Sequence, residues 1–246
     1  MNPAVRSSGL AYLGLVADLV ERLGRDEWPA LRRAAELIAD ALAGGRTIHA
    51  FGTGHSHMLA EELYYRAGGL VRVRPILFEG LMLHASAPLS TSLERLPEIA
   101  DALFVDQGVV AGDVLIVASN SGSNAVASRL VQRTQEVGAR VIAVTSLRHA
   151  TSADARSNDL PRLHELADVV IDNGGVVGDA AIDVTGFDRR VGPTSTVVGA
   201  AILNAIVAEA VELLVARGIS PDVYASSNTE GGDAANSRFH NPAGSR

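Results

Sequence analysis

Residues 113–124 read DVLIVASNSGSN and carry the pattern that decides the fold. The first six form a nearly continuous apolar run, which is typical of a strand buried on both faces of a sheet. Six small residues follow, five of them polar and one a glycine, and residues 125–137 then have the apolar spacing of a helix. This order of strand, polar loop and helix is the repeating unit of a parallel sheet.

The same unit occurs earlier in the chain, where residues 47–56 read TIHAFGTGHS. Apolar runs predict strands at 47–51, 70–77, 113–118, 140–145 and 168–171, with a short edge strand at 181–184. Helical spacing predicts helices at 9–23, 28–43, 57–67, 96–105, 125–137 and 197–217, and residues 78–93 are predicted to be irregular. The alternation predicts one doubly wound α/β domain with a parallel sheet and additional helices at the N-terminus.

Composition excludes several classes of function. Among the 246 residues there is no cysteine, which excludes disulfides, thiolate catalysis and Cys-ligated metal centres. There is also no lysine, since all 21 basic residues are arginine, and this excludes Walker A nucleotide binding and Schiff-base chemistry. The net charge of −7 argues against a surface that binds nucleic acid.

The N-terminal residues and the longest apolar segment both argue against export and membrane insertion. Charged residues interrupt the apolar positions of the first 24 residues, which does not fit a signal peptide. The segment 197–208 is followed by Glu209 and Glu212, so the apolar run is too short to span a bilayer. We therefore expect a soluble, cytoplasmic protein with no membrane partner.

The two polar loops are candidate anion-binding sites, because each precedes a helix whose free N–H groups attract negative charge. Ordinary helix capping explains one Ser or Asn in each loop, but not a run of them. A dinucleotide fingerprint would need a third glycine where His57 stands. The candidate ligand-binding residues are Gly54, His55, Ser56, Ser119, Asn120, Ser121, Gly122, Ser123 and Asn124.

The combination of GTGHS at 52–56 with SNSGSN at 119–124 resembles the SIS (sugar isomerase) domain, a phosphosugar-binding family. The resemblance covers about residues 30–218, and Asn124 stands where the family has a hydroxyl. The chain looks most similar to the branch of the phosphoheptose isomerases and N-acetylmuramic acid 6-phosphate etherases. The segments EELYYRAGGL (61–70), VIDNGGVVGDA (170–180) and SSNTEGGD (226–233) are similar to one bacterial subgroup.

This resemblance implies a flavodoxin-like, five-stranded parallel sheet and a sugar-phosphate site shared between the subunits of a homodimer or homotetramer. It also implies a single SIS domain over 1–246. Within it we distinguish N-terminal helices at 9–43, an α/β core at 46–217 and a C-terminal tail at 218–246. The composition of the tail favours flexibility, whereas Ile219, Pro221, Val223 and Tyr224 offer an anchor.

Aldose–ketose isomerisation needs a base that moves a proton between two carbons and often an acid that opens the ring. Glu62 matches the catalytic glutamate of the phosphoheptose isomerases, and its neighbour Glu61 is the alternative in a segment one helical turn shorter than theirs. Asn204 stands where those enzymes have a catalytic histidine, in a helix expected to be buried, and an amide transfers no proton. His57 and His84 are therefore the candidate acids, with His55 a further alternative.

Three functions remain open at this point. A sugar-phosphate isomerase is favoured, an amino-sugar-phosphate lyase or etherase is the alternative, and a non-catalytic phosphosugar sensor is the third. The pair His55 and His57 with Glu61 or Glu62 falls short of a full set of metal ligands, so no metal or other cofactor is expected. Asp172 to Gly175, with Asp179 nearby, either borders the site or forms a structural turn.

Overall fold

The structure is a computed structural model that describes residues 7–153 and 159–239. Five parallel strands form one sheet in the order β2-β1-β3-β4-β5. The strand order reverses beside β1, so the predicted doubly wound parallel sheet is confirmed. The strands are β1 (Ile48–Gly52), β2 (Val73–Ile76), β3 (Val114–Ala118), β4 (Arg140–Thr145) and β5 (Val169–Asp172).

Helices cover both faces of the sheet. They are α1 (Ser8–Arg22), α2 (Trp28–Ala43), α3 (His57–Leu63), α4 (Leu83–Leu93), α5 (Glu98–Gln107), α6 (Ala125–Glu136), α7 (Leu147–Ala150), α8 (Leu163–Leu166), α9 (Ser195–Ala216) and α10 (Gly232–Asn236). Short helical turns of other types occur at Leu23–Glu27, Gly54–Ser56, Glu79–Leu81 and Ser237–Phe239.

Alternating side chains of the strands build two hydrophobic layers. On β1, Ile48 and Ala50 pack into the layer that includes α2, α3 and α9, whereas Phe51 packs into the layer that includes α5 and α6. Each fully buried aliphatic or aromatic side chain contributes roughly 1.5–3 kcal/mol relative to exposure. The sheet is thus held from both faces, as the continuous apolar strands predict.

The structure corrects the predicted elements around β2. Helix α3 ends at Leu63 rather than 67, because Tyr64 is extended and Tyr65 has a positive φ of 45°. The strand predicted at 70–77 is limited to Val73–Ile76. The stretch predicted to be irregular contains α4, which is interrupted at Ser86 just before Pro88.

The short strand predicted near 181–184 is not on the edge of the main sheet. Residues Ala180–Ile182 form β6 and pair antiparallel with β7, Val191–Pro193, in a separate two-stranded sheet. Helix α9 has Thr194 as its N-cap residue, but the Thr194 side chain makes no capping hydrogen bond to the helix. The Asp179 carboxylate instead accepts hydrogen bonds from the N–H groups of Thr194 and Ser195, at 3.0 and 2.9 Å.

By length and composition, α9 is apolar enough to cross a membrane, contrary to the expectation drawn from 197–208. In the fold it behaves as a core helix, since its buried side chains pack with those of α2 and α3. One of its faces remains exposed, and α1 contributes no buried side chain at all. The described part of the tail is anchored, because Val223 bridges to Leu70; residues 240–246 of the predicted tail lie outside the described residues.

Candidate functional site

The two polar loops are neighbours at the carboxyl edge of the sheet. Strands β1 and β3 pair in register from Ile48 with Val114 to Gly52 with Ala118. The loops that follow, 53–56 and 119–124, therefore leave the sheet side by side. This edge, beside the reversal of strand order, is where open α/β sheets bind their ligands.

The 119–124 loop is a tight turn that gathers hydroxyl groups. Gly122 has a φ of 62°, and its N–H donates to the Ser119 carbonyl at 3.1 Å. The hydroxyls of Ser121 and Ser123 lie 3.2 Å apart. A Cβ atom at position 122 would meet the Thr145 hydroxyl at 3.1 Å, so both conformation and space favour glycine there. The loop thus presents clustered donors beside a helix N-terminus, an arrangement suited to an anion.

Asn124 is engaged within the protein rather than left open for a ligand. Its Oδ1 atom caps α6 by accepting from the N–H of Ala127 at 3.2 Å. Its Nδ2 atom donates to Thr53 Oγ1 and to Glu94 Oε2, both at 2.9 Å. Asn124 is therefore a link between the two loops, in addition to any contact with a ligand.

Glu94 is a site residue that the sequence reasoning missed. Its carboxylate accepts a hydrogen bond from Thr53 at 3.0 Å as well as from Asn124, and its carbonyl accepts from the N–H of Val126 at 3.3 Å. We call Thr53, Glu94 and Asn124 the loop clamp. Because the N–H groups of Val126 and Ala127 already donate to Glu94 and Asn124, these two groups at the start of α6 are not open to an anion.

Asn120 points away from the other loop residues, towards β5. Its Oδ1 accepts a hydrogen bond from Asn173 at 3.0 Å, and its carbonyl accepts from the N–H of Ser146 at 3.1 Å. Asp172 in turn bonds Arg22 at 2.8 Å and the N–H of Leu147 at 3.0 Å. The segment after β5 thus supports the 119–124 loop from behind, which favours the structural interpretation of its Asp, Asn and Gly residues.

The 53–56 loop brings two of the predicted histidines together. Gly54 has a φ of 56°, and its carbonyl accepts a hydrogen bond from Nδ1 of His57. The ring of His57 lies 6.1 Å from that of His84, and its Nε2 lies 3.8 Å from Glu61. His55 is exposed and Ser56 half-buried, both within the same short helical turn.

Glu62 and Asn204, far apart in sequence, are in contact. The Nδ2 atom of Asn204 donates to Glu62 Oε1 at 2.7 Å and to the carbonyl of Ala200 at 3.0 Å. The guanidinium of Arg66 also pairs with this carboxylate. The expectation that Asn204 is buried is wrong for the single chain, because it lies on the exposed face of α9. Glu61 lies beside His57 instead, so the two glutamates have different neighbours.

Within the described part of the chain, no three potential ligands from His, Asp and Glu converge on one point. The Nε2 atom of His57 lies 3.8 Å from Glu61, and its Nδ1 atom is engaged by the Gly54 carbonyl. What the site offers is therefore a hydroxyl-lined loop pair, an oriented carboxylate at Glu62 and an imidazole pair at His57 and His84.

Comparison with known proteins gives a consistent result. The family profile of the SIS domain matches residues 11–146. A UPF0309 protein of Listeria monocytogenes is 41% identical over 225 residues, which cover 92% of this chain and 91% of the relative. A UPF0309 protein of Halalkalibacterium halodurans is 42% identical over 226 residues, covering 92% and 90%.

Two solved structures share the fold at low sequence identity. A phosphoheptose isomerase from Neisseria gonorrhoeae has a TM-score of 0.54 and 18% identity, covering 87% of this chain and all of that one. A phosphoheptose isomerase from Francisella tularensis has a TM-score of 0.55 and 13% identity, covering 81% and 94%. These two similarities concern the fold of the chain.

Proposed function

The chain belongs to the SIS domain family, and we propose that it binds a sugar phosphate between its two polar loops and acts as an aldose–ketose isomerase. The observation that carries the proposal is the meeting of loops 53–56 and 119–124 at the carboxyl edge of β1 and β3. The proposal includes a cytoplasmic homodimer or homotetramer.

The phosphate is held by neutral donors. Ser56, Ser119, Ser121 and Ser123 supply hydroxyls at helix starts, and the chain has no lysine that could replace them. The Ser123 hydroxyl donates to the Ser121 hydroxyl at 3.2 Å, so the two hydroxyls lie close enough together to contact one anion. Gly54 and Gly122 have no side chain, which lets the ligand approach the backbone closely. Asn120 and Asn124 fix the conformation of the 119–124 loop through their hydrogen bonds.

The proton is moved by Glu62. Helix α3 rises about 1.5 Å per residue, so Glu62 lies about 9 Å along the axis from Ser56. This separation leaves room for a sugar between its phosphate and the carbon that loses a proton. Asn204 and Arg66 orient the carboxylate, which is what a general base requires before its basicity matters. His57 and His84 are the candidate acids for ring opening, with the exposed His55 beside them.

A lyase or etherase acting on an amino-sugar phosphate is the second candidate, and Asn204 favours it. The amide donates directly to Glu62 but transfers no proton, so a mechanism with a single carboxylate base suits this pair. A sensor without catalysis would use the phosphate loops and leave Glu62 without a role.

The first part of the test measures binding. Thermal shifts with C5 to C8 sugar phosphates and amino-sugar phosphates identify the ligand, since a ligand at 100 times its Kd stabilises the protein by roughly 2.7 kcal/mol. Ser121→Ala should weaken binding by about 1–3 kcal/mol, as expected for a hydrogen bond to a charged group. Ser220→Ala, at an exposed position away from the loops, is the matched control. If Ser121→Ala and Ser220→Ala bind the ligand with equal affinity, the proposed phosphate site is wrong.

The second part measures turnover of the ligand so identified. Glu62→Gln should lower kcat by roughly 10²–10⁴ with little change in KM, because a base acts mainly in the transition state. Glu61→Gln, one position away and facing His57, is the control. A larger loss in the Glu61 variant would move the base by one position. Binding without turnover in the unaltered protein would favour the sensor.

A further inference from the structure

A polar cavity of about 220 Å³ lies beyond the C-terminal end of α3. The cavity lies between two segments. One is the link between α3 and β2, and the other is the C-terminal segment that follows α9. The lining of the cavity includes two tyrosines, one arginine and a run of small polar residues, among them Tyr65, Arg66, Tyr224, Ser226, Ser227 and Asn228.

The cavity is formed by two segments that are about 160 residues apart in sequence. EELYYRAGGL (61–70) supplies one wall and SSNTEGGD (226–233) part of the other. The walls are joined by backbone hydrogen bonds from Gly68 N–H to the Tyr224 carbonyl, at 2.9 Å, and from Tyr224 N–H to the Gly69 carbonyl, at 3.0 Å. The segment is also folded back on itself, because Asn236 bonds both backbone groups of Ala225 at 2.9 Å. The walls are therefore built into the fold.

The backbone at the cavity is strained. Tyr65 has a φ of 45°, a left-handed conformation that is unfavourable for a residue with a side chain. This conformation places the Tyr65 ring edge-to-face with Tyr224, with ring centroids 4.8 Å apart. Strain of this kind persists where the surroundings fix it, and it clusters at ligand sites.

The charge of the cavity identifies the class of ligand. Arg66 is the one charged residue among those that line it, and its guanidinium is paired with Glu62. The cavity is thus close to neutral, and a second phosphate would have to compete with Glu62. Aromatic rings, hydroxyls and amides in a neutral cavity suit a group that is apolar on its faces and rich in hydroxyls at its edge.

We infer that this cavity is a subsite for a neutral, hexose-sized sugar group that is joined to the sugar phosphate through a hydroxyl away from the reacting carbons, which leaves the carbonyl free for isomerisation beside Glu62. Helix α3 is about 10 Å long and separates the phosphate loops from the cavity, so the ligand is longer than a simple monosaccharide phosphate. The inference rests on the proposed function for the phosphate end, but the cavity can be tested by itself.

The test uses N-acetylglucosamine and inorganic phosphate as separate probes, each followed by ligand-observed NMR on the full chain. Ser227→Trp fills the cavity, and Ser237→Trp adds the same side chain at an exposed position outside it. Millimolar binding of N-acetylglucosamine should fall about tenfold or more in Ser227→Trp and stay unchanged in Ser237→Trp. Tyr224→Leu, which removes an aromatic face, should also weaken it. Phosphate affinity should be equal in all four proteins.

Two results would overturn the inference: no binding of N-acetylglucosamine to the unaltered protein, or equal binding to the unaltered protein and Ser227→Trp. If phosphate fails to bind anywhere while N-acetylglucosamine binds and responds to Ser227→Trp, the sugar subsite stands and the proposed function fails. Competition by inorganic phosphate against N-acetylglucosamine would place both probes in one site and contradict a separate subsite.

Discussion

Removing the Glu94 carboxylate tests whether the loop clamp holds the two ligand loops together. The carboxylate accepts hydrogen bonds from Thr53 at 3.0 Å and Asn124 at 2.9 Å, and it is half-buried. A hydrogen bond to a charged group contributes about 1.5–3 kcal/mol, and partial exposure places these bonds at the lower end of the range. Glu94→Ala should therefore lower the free energy of unfolding by about 2–3 kcal/mol.

Glu94→Gln separates charge from geometry. Both hydrogen bonds reach the same oxygen, Oε2, so the amide oxygen of a glutamine can still accept both and only the charge is removed. The loss should therefore be about 1 kcal/mol. For a chain of this length, each kcal/mol lowers the Tm by roughly 2–4 °C, so the alanine variant should melt roughly 5–10 °C lower. Urea and thermal unfolding at one fixed protein concentration measure both variants, since association would otherwise shift the Tm.

Glu21→Ala is the control, because Glu21 is exposed on α1 and far in sequence from the loops. It should change stability by less than about 0.5 kcal/mol. In a double-mutant cycle, Thr53→Val combined with Glu94→Ala should lose less than the sum of the two single losses, because both remove the same bond. Strict additivity, or a Glu94→Ala loss no larger than the control, would refute the clamp.

Three further predictions follow from buried groups and exposed faces. Burial lowers the pKa of His49, against the opposing effect of its 3.2 Å hydrogen bond to Asp113, so stability should fall as the pH decreases below about 6.5, the pKa of an unfolded histidine. Urea midpoints between pH 8 and 5 should show this slope, and a slope that is unchanged in His49→Gln would contradict it. Asp179→Ala removes the cap of α9 and should cost about 1–2 kcal/mol in the same assay, whereas a neutral effect would mean that water replaces it. Light scattering should find a dimer or tetramer at micromolar concentration, and a 25.6 kDa species would count against the exposed apolar residues of α1 and α9 as an interface.

Local sequence patterns predicted the sheet well because each strand carries its own signal. The strand at 140–145 was predicted with the observed bounds, and the long helix at 197–217 is observed at Ser195–Ala216. The prediction for α3 failed at Tyr64 and Tyr65, whose side chains are compatible with a helix. Soon after α3 ends, residues 68–71 pair with residues 222–224, and no local pattern contains this contact between distant parts of the chain.

The candidate site was only partly accessible to the same reasoning. The hydroxyl loops follow apolar strands and could be recognised from that position. Glu94 could not, because it lies just after a stretch predicted to be irregular and bonds residues 41 and 30 positions away. The prediction that Asn204 is buried was wrong for the single chain. An apolar helix predicts that its surface is covered, but its sequence does not say which part of the protein covers it.

The exposed face of α9 connects association with the chemistry proposed at Glu62. Positions 197, 204, 208, 212 and 215 recur at helical spacing, are all exposed, and include Val197 and Val215, which are 41% and 60% accessible. Asn204 lies within this face and donates to Glu62. A second copy packed on α9 would remove water from the Asn204–Glu62 pair and strengthen the hydrogen bond that orients the base. In the proposed oligomer, the base proposed at Glu62 would therefore be positioned by the Asn204 amide and enclosed by the neighbouring subunit.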